Sequence, residues 1–139
     1  MSERALVFTH GDLTLTVPAR LGREAFQPRY LTPLPGGFSS LLGLTEVRGR
    51  SVPLLNLSAL TGLTFTGAAA QLPTLALLLE VNGDLLALPV QQVIGVVTLE
   101  ELLGGFELLS EPFLAGPHTV RALNPAVLTA AVRTRLNFT

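Results

Sequence analysis

Residues 41–57 place two apolar runs on either side of a glycine flanked by arginines, and this pattern constrains the fold most. Glycine adopts positive φ angles without steric cost, which a tight reversal between two strands requires. The stretch therefore predicts a β-hairpin with two cations at its tip. The turn is Arg48-Gly49-Arg50, and the apolar positions beside it are Leu42, Leu44, Val47, Val52, Leu54, Leu55 and Leu57.

The same kind of signal predicts three further hairpins, because apolar or alternating runs flank turn-forming residues. Pro53 cannot donate a ladder hydrogen bond, which predicts an edge position or a bulge for the return strand of the 41–57 hairpin. The other hairpins join Ala5–Thr9 to Leu13–Val17, Thr74–Val81 to Leu85–Leu88, and Ala115–Leu123 to Ala126–Arg133 across Asn124-Pro125.

Single strands and short helices are expected between these hairpins. Thr98 and Glu101 have the spacing of a capping box, which predicts a helix over Leu99–Leu103. Ser58–Leu63 can form a short helix that Gly62 ends. Strands are expected at Arg23–Gln27 and Ile94–Val97, a short turn or one helical turn at Pro18–Leu21, a connector at Pro89–Val93, and irregular loops at 28–37 and 106–112.

The two halves of the chain resemble each other. Gly11-Asp12 corresponds to Gly83-Asp84 at a separation of 72 (83 − 11), and Val47-Arg48 to Val120-Arg121 at 73 (120 − 47), as does Gly43 to Gly116. Each half would supply about five strands, too few to bury a core unless the sheet closes or packs on its twin. The prediction is one mainly β domain over 1–139, in which two five-stranded barrels pack together: subdomain one at 5–63, a linker at 64–73 and subdomain two at 74–135.

The amino-acid composition limits the classes of function that suit this chain. Charged residues make up 14% of the chain and hydrophobic residues 48%, whereas soluble domains average about 25% charged residues. The deficit indicates either a dense core or apolar surface kept for partners. A net charge of −1 argues against nucleic-acid binding. The absence of cysteine fits a reducing cytoplasm, and the N-terminus shows no signal-peptide pattern.

Candidate reaction centres are weak. His10 and Asp12 are two ligands at most, fewer than a zinc site needs. Glu100 and Glu101 suit a helix start better than acid–base catalysis. The run Gly36–Ser40 lacks the lysine of a phosphate-binding loop, and Ser39 has no evident base. No catalytic residue, metal or cofactor is predicted. The uncharged stretch Ser51–Leu79 is broken by prolines and glycines, so direct membrane insertion is not expected.

The hairpin resembles the signature of the CheW-like domain, an adaptor of bacterial chemotaxis signalling, whose motif has the form ϕ-x-G-V-I-N-L-R-G-x-V-V-P-V-I-D-L. Glu46 stands where the family usually has Asn, and Asn56 where it usually has Asp. The resemblance covers about residues 6–132. The positions that match the motif are Gly43, Arg48, Gly49, Val52, Pro53 and Leu57.

The resemblance implies two SH3-like barrels and an ion pair between Glu24 and Arg48. It implies a cytoplasmic, non-catalytic adaptor, recruited to membrane receptor arrays, that links a chemoreceptor tip to the regulatory domain of a CheA-type histidine kinase. Partner contacts or a structural brace are expected at Glu24, Arg48, Gly49, Leu42, Leu44, Val47, Val93 and Val96. The alternatives are an adaptor of the same fold in twitching motility, and a small β-barrel enzyme or ligand-binding domain. For Arg48 itself, the alternative is a solvated hairpin arginine.

Overall fold

The computed structural model describes residues 3–32, 40–62, 73, 75–99 and 107–136. Within these residues the chain forms ten strands, two α-helices and one 3-10 turn at Ala19–Leu21. The strands are β1 Glu3–His10, β2 Leu13–Pro18, β3 Gly22–Phe26, β4 Leu41–Val47, β5 Arg50–Leu55, β6 Leu75–Val81, β7 Asp84–Val90, β8 Gln92–Leu99, β9 Phe113–Ala115 and β10 His118–Ala122; the helices are α1 Leu57–Thr61 and α2 Pro125–Leu136.

Three of the four predicted hairpins are confirmed as the antiparallel pairs β1–β2, β4–β5 and β6–β7. In two of them the turn residues have positive φ: 51° and 78° at Arg48 and Gly49, and 50° and 87° at Asn82 and Gly83. Two successive positive φ values define the turn that suits the twist of paired strands. The helical turn at 19–21, strand β3 and helix α1 are also confirmed, whereas the connector predicted at Pro89–Val93 is only Gln91.

The hairpin predicted across Asn124-Pro125 is wrong, because Pro125 begins helix α2. The Asn124 side chain accepts hydrogen bonds from the backbone nitrogens of Ala126 at 3.0 Å and Val127 at 3.4 Å, so it caps the helix. Proline suits the first helical position because its missing N–H would have no helical partner there. The last hairpin instead joins β9 to β10.

Several predictions fall on residues that the structure does not describe. These are half of the loop at 28–37, all but one residue of the linker at 64–73, and most of the helix predicted from the capping box. The first residue of that helix prediction, Leu99, is the last residue of β8 instead.

The strands form two five-stranded sheets, as predicted, but each sheet takes strands from both halves of the chain. The first sheet has the order β8-β1-β2-β10-β9, and the second sheet has the order β3-β6-β7-β5-β4. Hairpin β1–β2 therefore lies among strands of the second half, and hairpin β6–β7 lies among strands of the first. The predicted boundaries at 5–63 and 74–135 consequently do not coincide with the sheets.

This exchange is reciprocal and preserves the internal repeat. In the two orders, β1 and β6 take the same place, as do β2 and β7, β3 and β8, β4 and β9, and β5 and β10. The separation of 72 holds for the hairpin tips at Gly11 and Gly83. The separation of 73 is wrong: the helix caps Asn56 and Asn124 lie 68 residues apart (124 − 56), and Gly116 lies at a hairpin tip whereas Gly43 lies within β4.

The central strands are buried on both faces, which accounts for the scarcity of charge. Along β6, Leu77 and Leu79 belong to the large core between the sheets, whereas Ala76 and Leu78 belong to a second core against β5. A third, smaller core joins Val7 to Ala115 and Val120 within the first sheet. Strands buried on both faces carry continuous apolar runs. The dense core, one of the two explanations of the composition, is thus present.

Pro53 lies in an inner strand, so the edge position predicted for it is wrong; the β4–β5 ladder does contain a register shift, which lies between Leu41 and Gly43 of β4. Its partner in the β4–β5 register is Leu44. The backbone N–H and C=O of Leu44 instead bond Thr32, both at 2.8 Å, on the side of β4 away from β5. Leu44 and Pro53 are therefore a non-hydrogen-bonded pair, and β4 requires no donor from the proline. On the other side of β5, the parallel pairing with β7 is a single register pair, Leu54 with Ala87.

Candidate partner-binding site

The Arg48-Gly49 turn presents an arginine in a backbone conformation that arginine rarely adopts. Arg48 has a φ of 51°, and its side chain is 78% exposed. The left-handed conformation costs an L-residue roughly 1–2 kcal/mol, which Asn or Gly in this position would largely avoid. Because strain of this kind clusters at functional sites, the turn is a candidate binding site on its geometry alone.

The structure contains the predicted ion pair between Arg48 and Glu24, in which the guanidinium donates to the carboxylate. The two residues lie at opposite edges of the second sheet, since Glu24 is in β3 and Arg48 follows β4. The paired Thr32–Leu44 backbone hydrogen bonds link the chain after β3 to the same edge strand. Together, the ion pair and this bridge bring the two edges together, so the sheet closes on itself.

The first sheet brings its edges together by different chemistry at the corresponding place. There, β8 and β9 are the edge strands, and a Cβ at Gly116 would lie 3.9 Å from Val97. Val96 occupies the place of Glu24, because Val96 pairs with Leu6 of β1 as Glu24 pairs with Leu78 of β6. The exposed face is consequently charged near the edges of one sheet and apolar at the equivalent place in the other.

The apolar residues at which partner contacts are expected are distributed over two sheets. Val47 is only 8% exposed and belongs to the core of the second sheet, with Leu42 packed against that core. Val93 packs against the core between the sheets. Val47 therefore lies inside the sheet rather than on its surface, because β4 turns that side chain inward. Leu44 is half-buried, and Gly49 is exposed at the turn.

Val96 is exposed, and a second exposed apolar side chain lies on the same strand. It is 44% exposed, and Ile94 on the same strand is 39% exposed. Burial alternates along Gln92–Leu99, so Ile94 and Val96 share the outward row of edge strand β8. Leu6, the cross-strand partner of Val96, is half-buried beside them. We call Leu6, Ile94 and Val96 the β8 patch. Sequence reasoning missed Ile94, although the alternation of 92–99 carries the signal.

Two further ion pairs were not predicted. Arg23 of β3 donates from two nitrogens to one carboxylate oxygen of Glu80 on β6, at 2.8 and 2.9 Å. Arg20 donates to Glu3 at 3.0 Å. The Arg23–Glu80 partners lie 57 residues apart in sequence, and only the exchange of hairpins brings them together. Both pairs are on the surface, where such pairs contribute little stability.

His10 is a partly buried titratable side chain at the end of β1. Burial lowers the pKa of its imidazole, and a hydrogen bond with the backbone of Pro89 partly opposes this effect. Across the described part of the chain, no cluster of three or more His, Cys, Asp or Glu side chains could hold a metal ion. The geometry around His10 is thus that of a histidine packed near the junction of β7 and β8.

The lowered pKa of His10 predicts the sign of one pH effect. Below pH 6.5 His10 becomes protonated in the unfolded chain. In the folded chain it stays neutral until the pH falls to the lower pKa that His10 has in the folded state. Neutral His10 therefore stabilises the fold fully above pH 6.5, and this contribution is lost as the pH falls below it. The difference in unfolding free energy between wild type and His10→Gln should change between pH 7.5 and 5. A difference that stays constant over this pH range would contradict the assignment.

The ion pair is expected to contribute little to folding. A partly exposed pair is worth about 0.2–1 kcal/mol, so Arg48→Ala should leave the protein folded. A double-mutant cycle with Glu24→Ala, followed by denaturant unfolding, measures the coupling. Arg48→Gly is the matched control, since it removes the guanidinium and also the left-handed strain. It should unfold at a higher denaturant concentration than Arg48→Ala. A coupling free energy of zero would show that the pair does not hold the sheet edges together.

These features define a class of protein. It is mainly β, its two sheets exchange hairpins between the halves of the chain, and an ion pair holds an arginine turn across the edges of one sheet. The chain belongs to the CheW-like domain family, because the sequence model of that domain matches residues 4–103.

A solved structure supports the fold. The chain is similar to the scaffolding protein TtCheW from Thermoanaerobacter tengcongensis, with a TM-score of 0.71 over 89% of this chain and 85% of that one. The two sequences are 15% identical, so this likeness concerns the fold. No curated protein matches the chain. Neither helix in the described regions has the length and apolar character needed to cross a bilayer.

Proposed function

We propose that the protein is a non-catalytic adaptor that couples chemoreceptors to a CheA-type histidine kinase in chemotaxis-like signalling. The observation that carries this proposal is the family match over residues 4–103, which includes the Arg48-Gly49 turn and its ion pair with Glu24. Fold alone does not establish function. The added support is that the site consists of surface features suited to protein contact.

Two separate surfaces serve the two partners in this proposal. The kinase's regulatory domain packs end-on against one sheet, near the Arg48 turn. The receptor's helical tip lies along the β8 patch, where exposed Ile94 and Val96 continue the half-buried Leu6. Apolar side chains at the centre of an interface supply most of its binding free energy. Because the β8 patch carries no charge of its own, binding there should depend weakly on salt.

A role without catalysis agrees with the chemistry of the site. The candidate residues His10 and Asp12 lie at one hairpin tip, and His10 packs towards Pro89. Burial lowers the pKa of the His10 imidazole. In this proposal the protein acts by holding its partners together, at the cytoplasmic side of membrane receptor arrays.

Retention of a histidine kinase from native cell extract tests the proposal directly. The wild-type protein should retain a CheA-type kinase, and calorimetry should then give separate isotherms with the purified regulatory domain and with a chemoreceptor tip. Arg48→Ala should weaken the kinase isotherm while the protein remains folded. Retention of a twitching-motility kinase instead would move the adaptor to that pathway. Binding to neither partner by a folded protein would overturn the adaptor role.

A further inference from the structure

In the part of the chain that the structure describes, neither half forms a complete sheet by itself. We call residues 3–62 the first half and 73–136 the second half. Among the described residues of the first half, the ladders join β1 to β2 and β4 to β5; among those of the second, they join β6 to β7 and β9 to β10. Two-stranded hairpins are marginally stable at best in water. Each half therefore depends on the other to complete both sheets.

The ladders that complete the sheets all join one half to the other. These are β1 with β8, β2 with β10, β3 with β6, and β5 with β7. Further hydrogen bonds between the halves run from the Gln91 nitrogen to the Thr9 oxygen at 2.8 Å, and from the Leu123 nitrogen to the Thr16 oxygen at 2.9 Å. The Arg23–Glu80 ion pair also joins the halves.

The buried cores are shared in the same way. The second-sheet core takes Val52 and Leu54 from the first half and Leu78 from the second. The first-sheet core combines Val7 with Val120, and the large core combines residues such as Phe8 and Leu88. No core of the described chain belongs to one half alone. The surface that each half buries is thus complementary to the other half along its whole length.

From this geometry we propose that a second copy of this chain can supply the missing half, giving a dimer in which two chains exchange their halves. The chain joins the two halves covalently through residues 63–72. An exchanged dimer keeps every ladder, core and ion pair between the halves. Exchange of identical elements is a low-cost route to a dimer for this reason.

The connecting segment decides between monomer and dimer. A segment that can span the two halves gives them a high effective concentration within one chain, and this favours the monomer. When the segment is too short to span, the effective concentration falls towards zero, and pairing with a second copy becomes the only way to complete the sheets. The exchanged dimer would present two Arg48 turns and two β8 patches, so it would bind partners bivalently.

The absence of cysteine allows a clean test on the full chain. Arg4 and Thr98 are exposed partners in the β1–β8 ladder, so they belong to different halves. Opposite residues of antiparallel strands have Cα atoms within the range that a disulfide requires. In R4C/T98C, the bond is within one chain in a monomer and between two chains in an exchanged dimer. The matched control T9C/T14C links β1 to β2, which lie in one half, so its bond stays within a chain in either state.

The experiment compares the full-length chain with a variant lacking residues 66–71, each refolded over micromolar to millimolar concentrations. We expect the shortened chain to be a dimer by light scattering, and its R4C/T98C form to run as a covalent dimer on a non-reducing gel, while its T9C/T14C form runs as a monomer. A dimer whose R4C/T98C disulfide stays within one chain would be a surface contact and would overturn the proposal, as would a folded monomer of the shortened chain.

A second measurement applies if the shortened chain fails to fold. Full-length R4C and T98C are mixed in denaturant and refolded together, and only an exchanged dimer can place the two introduced thiols opposite each other. The covalent R4C–T98C dimer should increase with protein concentration during refolding, and mixing the two proteins after folding should give none in the short term, because exchange requires the halves to separate. Absence of this product at millimolar concentration would overturn the proposal.

Discussion

Replacing Gly43 with alanine is expected to lower the free energy of unfolding by roughly 2–4 kcal/mol, because the backbone and the surroundings both exclude a side chain. Gly43 has a φ of 151°, and a Cβ there would lie 2.6 Å from the backbone oxygen of Thr32. That oxygen accepts the hydrogen bond from Leu44 that links the two edges of the second sheet. The added methyl group therefore displaces the bridge itself.

Gly22→Ala is the matched control, since it adds the same methyl group at a site with similar apparent crowding. A Cβ at Gly22 would meet the Leu6 Cδ1 atom at 2.6 Å, but this atom is the end of a flexible side chain. The φ of −71° at Gly22 suits any residue. Denaturant unfolding should show that the free energy of unfolding falls by less than about 1 kcal/mol, because the lower entropy of the unfolded alanine chain partly offsets the crowding. Equal losses in the two variants would show that the Thr32 contact has no special role.

Replacing Val96 with glutamate is expected to reduce chemoreceptor binding by at least about tenfold while kinase binding is retained; this expectation rests on the proposed adaptor function. Val96 is an exposed residue on edge strand β8, beside Ile94 and opposite Leu6. A carboxylate buried against an apolar partner without a counter-charge loses its hydration, and one uncompensated charge costs several kcal/mol. Because Val96 is exposed in the free protein, the substitution should scarcely change the unfolding free energy.

Val96→Thr is the control for shape, since it keeps the branched side chain and adds no charge; its loss of receptor binding should be smaller. Calorimetry with the receptor tip and the kinase regulatory domain, each at low and high salt, separates the two surfaces. Loss of both interactions in a still-folded Val96→Glu protein would contradict two separate surfaces. Complete loss of wild-type receptor binding at high salt would contradict an apolar β8 patch.

The sequence by itself determined the local elements, because their causes lie within a few residues. The two-residue turn at Asn82-Gly83 and the helix end at Gly62 depend on backbone conformations that few residues accept. The motif around Arg48 carried the family resemblance and, with it, the pair with Glu24 that the structure contains. Asn124-Pro125 was ambiguous because both a turn and a helix start favour this pair. The burial of Leu128 in the large core accompanies the helix.

The tertiary structure alone decided which hairpins lie together. The apolar runs of β1, β2, β6 and β7 are equally suited to a sheet built within one half or across both, since alternation gives a strand's faces and not its neighbours. Exchange of the hairpins then fixed which side chains point outward: Val47 turned into a core, whereas Ile94 and Val96 stayed exposed on an edge strand. Which strands pair is decided by the apolar surface that the two halves bury against each other. This burial stabilises the chain only once the halves are in contact.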